Sequence, residues 1–330
     1  MQRQYSKVLS KYKKRVPATT SVEQTKRNNI CPLLSGVGML VSVIIMNISV
    51  NTKKMAVIGD PIGHSMSPFM HNSIIKANGF DAVYFPFLVK EGKVEDFCKA
   101  AKTMGFSGFN ATMPHKQVLL DLVDEIDPEA KEYASINTVK ITEEGRLIGY
   151  NTDVRGLLMA FEDRGVKLSG AKIMIVGAGG VAGALVKGCR KMGVESVTVV
   201  NRTYEKAAAL CRGLSYGKAE EWTPANMSSV AAEADVIVNC TSLGMHGTGS
   251  DFADLSFLDD TKALLCDLIY NPWETKFLAY GRQRGLETMN GMSMLIYQGL
   301  LAFEKFMDVK LDCRKEHERL IPLCAERLNR

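Results

Sequence analysis

Ile173-Met174-Ile175-Val176-Gly177-Ala178-Gly179-Gly180-Val181-Ala182-Gly183-Ala184 is the stretch that decides the fold. Four apolar residues, a glycine turn and a run of small residues follow one another without interruption. That order predicts a buried strand over 172–176 and a helix over 180–192. Glycines in such a turn let backbone amides approach a pyrophosphate, and the helix N-terminus adds partial positive charge. The spacing G-x-G-x-x-[G/A] is weak by itself. Between a strand and a helix it points to a dinucleotide held by Gly177, Ala178, Gly179, Gly180, Val181 and Ala182. Transfer of a hydride to or from a nicotinamide is the chemistry this implies.

Downstream, the next predicted strand (196–200) ends in Asn201-Arg202-Thr203, with Lys206 one helical turn later. A site for NAD usually carries Asp or Glu there, to hold the ribose hydroxyls. A guanidinium, a hydroxyl and an ammonium suit a phosphate dianion instead, so the expected cofactor is NADP. Strands at 236–239, 264–269 and 286–289 alternate with helices at 204–211 and 275–284. Upstream, strands at 55–58, 82–89 and 105–112 alternate with helices opening at Ser67-Pro68 and at 91. Segments 134–142 and 146–151 flank the hairpin signal Glu143-Glu144-Gly145. Such alternation predicts an α/β protein with parallel sheets covered on both faces. The expected division is an N-terminal α/β substrate domain (55–152 with 291–330) and a Rossmann-type domain (153–290). Helices at 292–307 and 313–328 would return to the first domain.

The chain of 330 residues is 46% hydrophobic and 23% charged, ordinary for a globular protein long enough for two cores. Its net charge of +5 is unevenly placed. Residues 1–54 hold ten basic side chains against the single acid Glu23, so the rest of the chain is net acidic. The folded body therefore gives no case for nucleic-acid binding. Residues 1–54 read as a disordered or non-native leader, with a targeting peptide or membrane anchor as alternatives. The apolar run from Met39 to Met46 is far shorter than the roughly 20 residues a spanning helix needs. Met46 and Met55 are both candidate starts. Eight scattered cysteines without a C-x-x-C pair fit reduced thiols and a cytoplasmic protein, and no ligand cluster suggests a metal.

Four polar segments exceed what a plain α/β domain needs: 63–72, 110–116, 136–138 and 149–153. They carry Ser65, Ser67, Thr112, Lys116, Asn137 and Asp153 on loops at one predicted sheet edge, where ligands of such folds bind. Each has a plainer reading. Ser67 and Asp153 also suit helix N-caps, Asn137 and Asn151 suit turns, and His71 and His115 read as structural before catalytic.

Together, 59–68 (GDPIGHSMSP), 110–116 (NATMPHK), 149–153 (GYNTD), Asn201-Arg202-Thr203, 239–245 (NCTSLGM), 267–272 (DLIYNP) and 290–299 (NGMSMLIYQG) resemble the shikimate dehydrogenase family. The resemblance runs from about Lys54 to the C-terminus. It implies NADPH-dependent reduction of 3-dehydroshikimate to shikimate, a step towards chorismate and the aromatic amino acids. By that similarity Ser65 and Ser67 would bind the substrate carboxylate. Thr112, Asn137, Asp153 and Gln298 would hold ring hydroxyls, and Lys116 would be catalytic with Asp153. Tyr270 and Gly291 would lie where substrate meets nicotinamide. Asn239, Thr241, Ser242, Gly244, Met245 and Leu268 would line the cofactor.

Ser135 stands where the family more often has a small apolar residue, and Asn290 where Asp is frequent; neither removes a proposed ligand. The nearest alternative is the quinate/shikimate dehydrogenase branch, which uses NAD or NADP. A metabolite sensor on an inactive dehydrogenase scaffold is the alternative from another class, which intact Lys116 and Asp153 oppose. The expected partner is a small-molecule substrate, with no nucleic acid and no membrane, and with homodimer formation left open.

Overall fold

The computed structural model describes residues 48–328. The first sheet is built from β1 (Lys53–Gly59), β2 (Ala82–Leu88), β3 (Phe106–Ala111), β4 (Glu125–Ile126), β5 (Thr138–Ile141) and β6 (Leu147–Tyr150). Their spatial order is β2-β1-β3-β5-β6-β4. Around it lie α1 (Ser67–Asn78), α2 (Val94–Thr103) and the short α3 (Pro128–Tyr133). α4 (Asp153–Asp163) then leads into the second sheet.

The second sheet comprises β7 (Lys172–Val176), β8 (Ser196–Asn201), β9 (Gly217–Glu221), β10 (Val236–Asn239), β11 (Leu264–Asp267) and β12 (Thr288–Met289). It is ordered β12-β11-β10-β7-β8-β9, and all its pairs are parallel. The strand order reverses between β7 and β10, the place where a crevice opens at the carboxyl edge of such sheets. α5 (Gly180–Met192), α6 (Tyr204–Cys211), α7 (Pro224–Glu233) and α8 (Lys276–Gln283) connect these strands. α9 (Met292–Met307) and α10 (Cys313–Leu328) close the chain.

Two expectations need correction. The first sheet is mixed, because β5 runs antiparallel to both β3 and β6. The β5–β6 pair is the hairpin expected from Glu143-Glu144-Gly145, and its reason is local. The turn at Gly145, with φ of 78°, closes on the Gly145 N–H to Thr142 carbonyl bond at 2.9 Å. So short a reversal leaves no room for the crossover that a parallel pair requires. The leader also ends earlier than residue 54: Thr52 is buried and β1 begins at Lys53. The apolar run before Met46 lies outside the described residues. Among those described, no helix is long and apolar enough to cross a membrane.

Sequence patterning missed α3, β4, β9 and α7. β9 is Gly-Lys-Ala-Glu-Glu on a sheet edge, with a half-exposed, charged face that carries no apolar alternation. α3 and α7 are announced by caps instead of by a stripe. Asp127 accepts from the Glu129 N–H at 3.0 Å, and Thr223 from the Asn226 N–H at 3.2 Å.

One apolar cluster joins the two sheets. Met55, Val57 and Tyr84 of the first pack with Ile296, Leu300 and Phe303 of α9, and the cluster continues to Ile173, Ile175 and Val199 of the second. α9 is hydrophobic on nearly every side, as a helix enclosed by other elements must be. Two glycines set its position. A Cβ on Gly156 of α4 would lie 2.7 Å from the Gln298 backbone nitrogen, and one on Gly299 would lie 2.1 Å from Met70 Cε. The absence of these two side chains lets α4 and α1 seat closely against α9. That brings Gln298 to the substrate-side loops.

Candidate active site

Lys116 and Asp153 meet at the carboxyl edge of the first sheet. Lys116 Nζ donates to Asp153 Oδ2 at 2.6 Å, with side chains only 16% and 8% exposed. The Lys116 carbonyl accepts from the Ile136 N–H at 3.0 Å, which fixes the lysine loop beside the start of β5. Asn137 stands between the two loops. Its Nδ2 donates to Asp153 Oδ1 at 2.8 Å, to Thr152 Oγ1 at 2.9 Å and to Gln298 Oε1 at 3.3 Å. Lys116, Asn137, Asp153 and Gln298 are thus brought into one bonded group. Asp153 opens α4, yet its carboxylate faces Lys116 and Asn137 and does not cap the helix. Asn151 supports the bend instead: its Oδ1 accepts from the Asp153 N–H at 3.1 Å.

Thr112 lies in the neighbouring loop, its N–H bonded to the Ile58 carbonyl at 2.9 Å. A Cβ on Gly59 would fall 2.4 Å from Thr112 Cγ2, so the glycine admits the close approach of loops 59–67 and 111–116. Ser65 and Ser67 sit on the first of these. Ser67 is not the N-cap expected from sequence; the cap position is Met66, which provides no side-chain bond. Ser65 Oγ accepts from the Ser67 N–H at 3.3 Å, so the two serines share one turn. No direct hydrogen bond joins Ser65, Ser67 or Thr112 to the lysine–aspartate pair among the described residues.

His115 and His71 are structural. His115 Nε2 bonds the Val89 carbonyl at 2.8 Å. Burial lowers His71 to about 3, and its ring stacks on Tyr84 with centroids 4.0 Å apart.

Three strand ends of the second sheet form the other wall. At the β7–α5 turn Gly177 has φ of 101°, and a Cβ there would sit 2.7 Å from Thr241 Cγ2. Gly179 and Gly180 are exposed, and a Cβ on either would meet nothing within 4 Å. Among the described residues no side chain caps the N-terminus of the 13-residue α5, which leaves its first amides and partial positive charge uncommitted beside Val181 and Ala182. This cradle fits a pyrophosphate. At the end of β8, Arg202, Thr203 and Lys206 are exposed, and among the described residues neither cation has an ion-pair partner. Asn201 Nδ2 braces that turn on the Thr203 carbonyl at 2.8 Å.

After β10, Asn239 Oδ1 accepts from the Thr241 N–H at 3.0 Å and hydroxyl at 2.7 Å, holding the loop of Ser242, Gly244 and Met245. Gly291 packs against the backbone of Leu268, where a Cβ would lie 2.1 Å from the carbonyl oxygen. Burial raises the Tyr270 hydroxyl, a rise the nearby Met66 amide opposes, so Tyr270 reaches the serine loop. His64 of that loop faces His246 edge-on at 6.5 Å. The proposed substrate and cofactor loops therefore face each other.

Sequence reasoning assigned no role to Asp267 or to Tyr84. Asp267 ends the apolar strand Leu264–Asp267 and is fully buried. It accepts from Asn239 Nδ2 at 3.0 Å, the Ile269 N–H at 3.0 Å and the Thr275 hydroxyl at 2.6 Å. A carboxylate closing a run of apolar residues was the available signal.

Comparison with known proteins agrees with this geometry. Residues 57–139 match the family model for the shikimate dehydrogenase substrate binding domain, and residues 160–264 that for shikimate / quinate 5-dehydrogenase. A shikimate dehydrogenase (NADP(+)) of Methanococcus aeolicus is 39% identical over 268 residues, covering 80% of this chain and 95% of the relative. The solved shikimate 5-dehydrogenase of Thermus thermophilus, in complex with NADP(H) and shikimate, superposes with a TM-score of 0.73. It is 31% identical, over 84% of this chain and 99% of that one. Quinate dehydrogenase of Corynebacterium glutamicum, in complex with NAD, also gives 0.73, at 30% identity over 82% of this chain and 99% of its own. Sequence motifs, two-sheet architecture and site geometry agree that this chain belongs to the shikimate dehydrogenase family.

Proposed function

We propose that this chain reduces 3-dehydroshikimate to shikimate, reversibly, with NADPH. The observation that carries the reading is the buried Lys116–Asp153 pair, bonded to Asn137 and Gln298 opposite the glycine cradle. Residues 55–152 and 291–330 serve as the substrate half, and 153–290 as the cofactor half. When bound, the reduced nicotinamide supplies a hydride to the ketone carbon. The carbonyl oxygen then gains negative charge, which the Lys116 ammonium stabilises before giving up its proton. Asp153 holds that ammonium in place. In the oxidative direction Lys116 takes the hydroxyl proton back. Ser65 and Ser67 hold the substrate carboxylate, and Thr112, Asn137, Asp153, Gln298 and Tyr270 its ring. Arg202, Thr203 and Lys206 receive the 2′-phosphate of the cofactor. A cytoplasmic location belongs to the same proposal, supported by seven described cysteines that are all free thiols.

The test is NADPH oxidation with 3-dehydroshikimate, run beside NADH and beside 3-dehydroquinate. NADPH with dehydroshikimate is expected to give the highest kcat/KM. A preference for NADH with dehydroquinate would place the chain in the quinate branch and overturn the cofactor assignment.

A further inference from the structure

We propose that Tyr84 and Thr138 are positioning residues that hold Asp153 in its productive form through a one-way chain of hydrogen bonds. The proposal rests on the catalytic assignment of Lys116 and Asp153. Tyr84 lies on β2, two strands from β3, and its phenol reaches across β1 on the face covered by α1 and α9. The chain of donors starts there. The Tyr84 hydroxyl donates to Asn110 Oδ1 at 2.7 Å. That contact turns the Asn110 amide so that Nδ2 donates to Thr138 Oγ1 at 3.0 Å and to the Asn137 carbonyl at 3.1 Å. Thr138 has one hydroxyl hydrogen, which goes to Asn137 Oδ1 at 2.9 Å. The Thr152 N–H, which can only donate, also points at Asn137 Oδ1, at 2.9 Å. Asn137 must therefore present its NH2 to Asp153.

Every link is buried: Tyr84, Asn110, Asn137 and Thr138 are all below 9% exposure. In so buried a setting the orientation of one amide dictates the next. Asp153 ends with one oxygen committed to Lys116 and the other to Asn137. Lys116 is the charged group facing Asp153. His71 is the titratable group packed on Tyr84, and burial keeps its ring neutral. Burial also keeps the Tyr84 phenol protonated, so its hydrogen is there to donate to Asn110 Oδ1.

Tyr84→Phe deletes the first donor and Thr138→Val the third, each with little change of shape. Both are expected to lower kcat for dehydroshikimate reduction by about tenfold. The KM for NADPH should stay within about twofold. Thr138→Ser, which keeps the hydroxyl, should restore the wild-type kcat. Phe303→Leu, which loosens packing on the same His71 ring, should lower the melting temperature and leave kcat within about twofold. If Tyr84→Phe and Thr138→Val behave like Phe303→Leu, the two residues serve packing alone and the proposal fails. A Lys116→Ala enzyme as active as wild type would instead bring down the catalytic assignment beneath it.

Discussion

Two aspartates, Asp153 and Asp267, are buried at the carboxyl edges of the two sheets, and their neighbours give them opposite uses. Asp153 shares its site with an ammonium, so proton chemistry is available as soon as a carbonyl arrives. Asp267 has no cation beside it among the described residues; its partners are an amide side chain, a backbone N–H and a hydroxyl. Burial pushes it up to about 6, against the pull of those three donors. It ties together β10, β11 and the cap of α8. Thr275 donates to its carboxylate and caps that helix at the Leu278 N–H, 3.4 Å away. Asp267 is thereby placed to shape the loop after Asn239. Burial alone does not mark a catalytic acid; the charge placed against it does.

The largest effect that would test this contrast is on Lys116. Lys116→Ala is expected to lower kcat by roughly 10²–10⁴-fold, the usual contribution of a positioned proton donor, with far less change in KM for dehydroshikimate. It also leaves Asp153 buried without its counter-charge, a loss of about 3–5 kcal/mol that a denaturant melt would register. Equal effects on kcat and KM would return Lys116 to a binding role.

The next is a pH effect at Asp267. Its folded value of about 6 lies above the ordinary carboxylate value of 3.8, so the native state prefers the proton. The stability from that preference is present below about pH 4 and is lost as pH rises through 6, to a total of about 3 kcal/mol. Asp267→Asn cannot ionise and should lack this decline. Urea melts of both proteins at pH 4 and pH 7 measure it. A difference between them that does not change with pH would mean that Asp267 does not titrate in this window.

Most of the fold was legible because its signals are local. The 172–192 stretch matched β7 and α5 at both ends, and α9 and α10 were read with their limits, because apolar runs, glycines and caps lie within one or two turns. The site residues were legible as loop clusters but not as a network. No spacing says that the Asn137 amide faces Asp153. The network around it depends on Gly156 admitting Gln298 and on β5 pairing antiparallel with β3. Tyr84 was hidden in the strand Ala-Val-Tyr-Phe-Pro-Phe-Leu, where a tyrosine reads as one more aromatic. Its partner Asn110 comes from a strand 26 residues away, a long-range fact beyond any local pattern.

The smallest expected effect concerns how the second sheet uses its cations. The first sheet commits Lys116 to Asp153, whereas the end of β8 leaves Arg202 and Lys206 exposed and free of acidic partners among the described residues. A cation that already has a partner must give it up to bind a phosphate; a solvated one need only shed water. Arg202→Ala should therefore weaken NADPH by about tenfold, a single charge-assisted contact partly replaced by Lys206. NADH, which lacks the phosphate, should be affected by less than about twofold. Fluorescence titration of both cofactors against wild type and variant separates the two. Equal loss for NADPH and NADH would mean that Arg202 supports the β8–α6 turn and does not read the phosphate. The unpaired cations of the second sheet would then be a feature of its surface and not of its specificity.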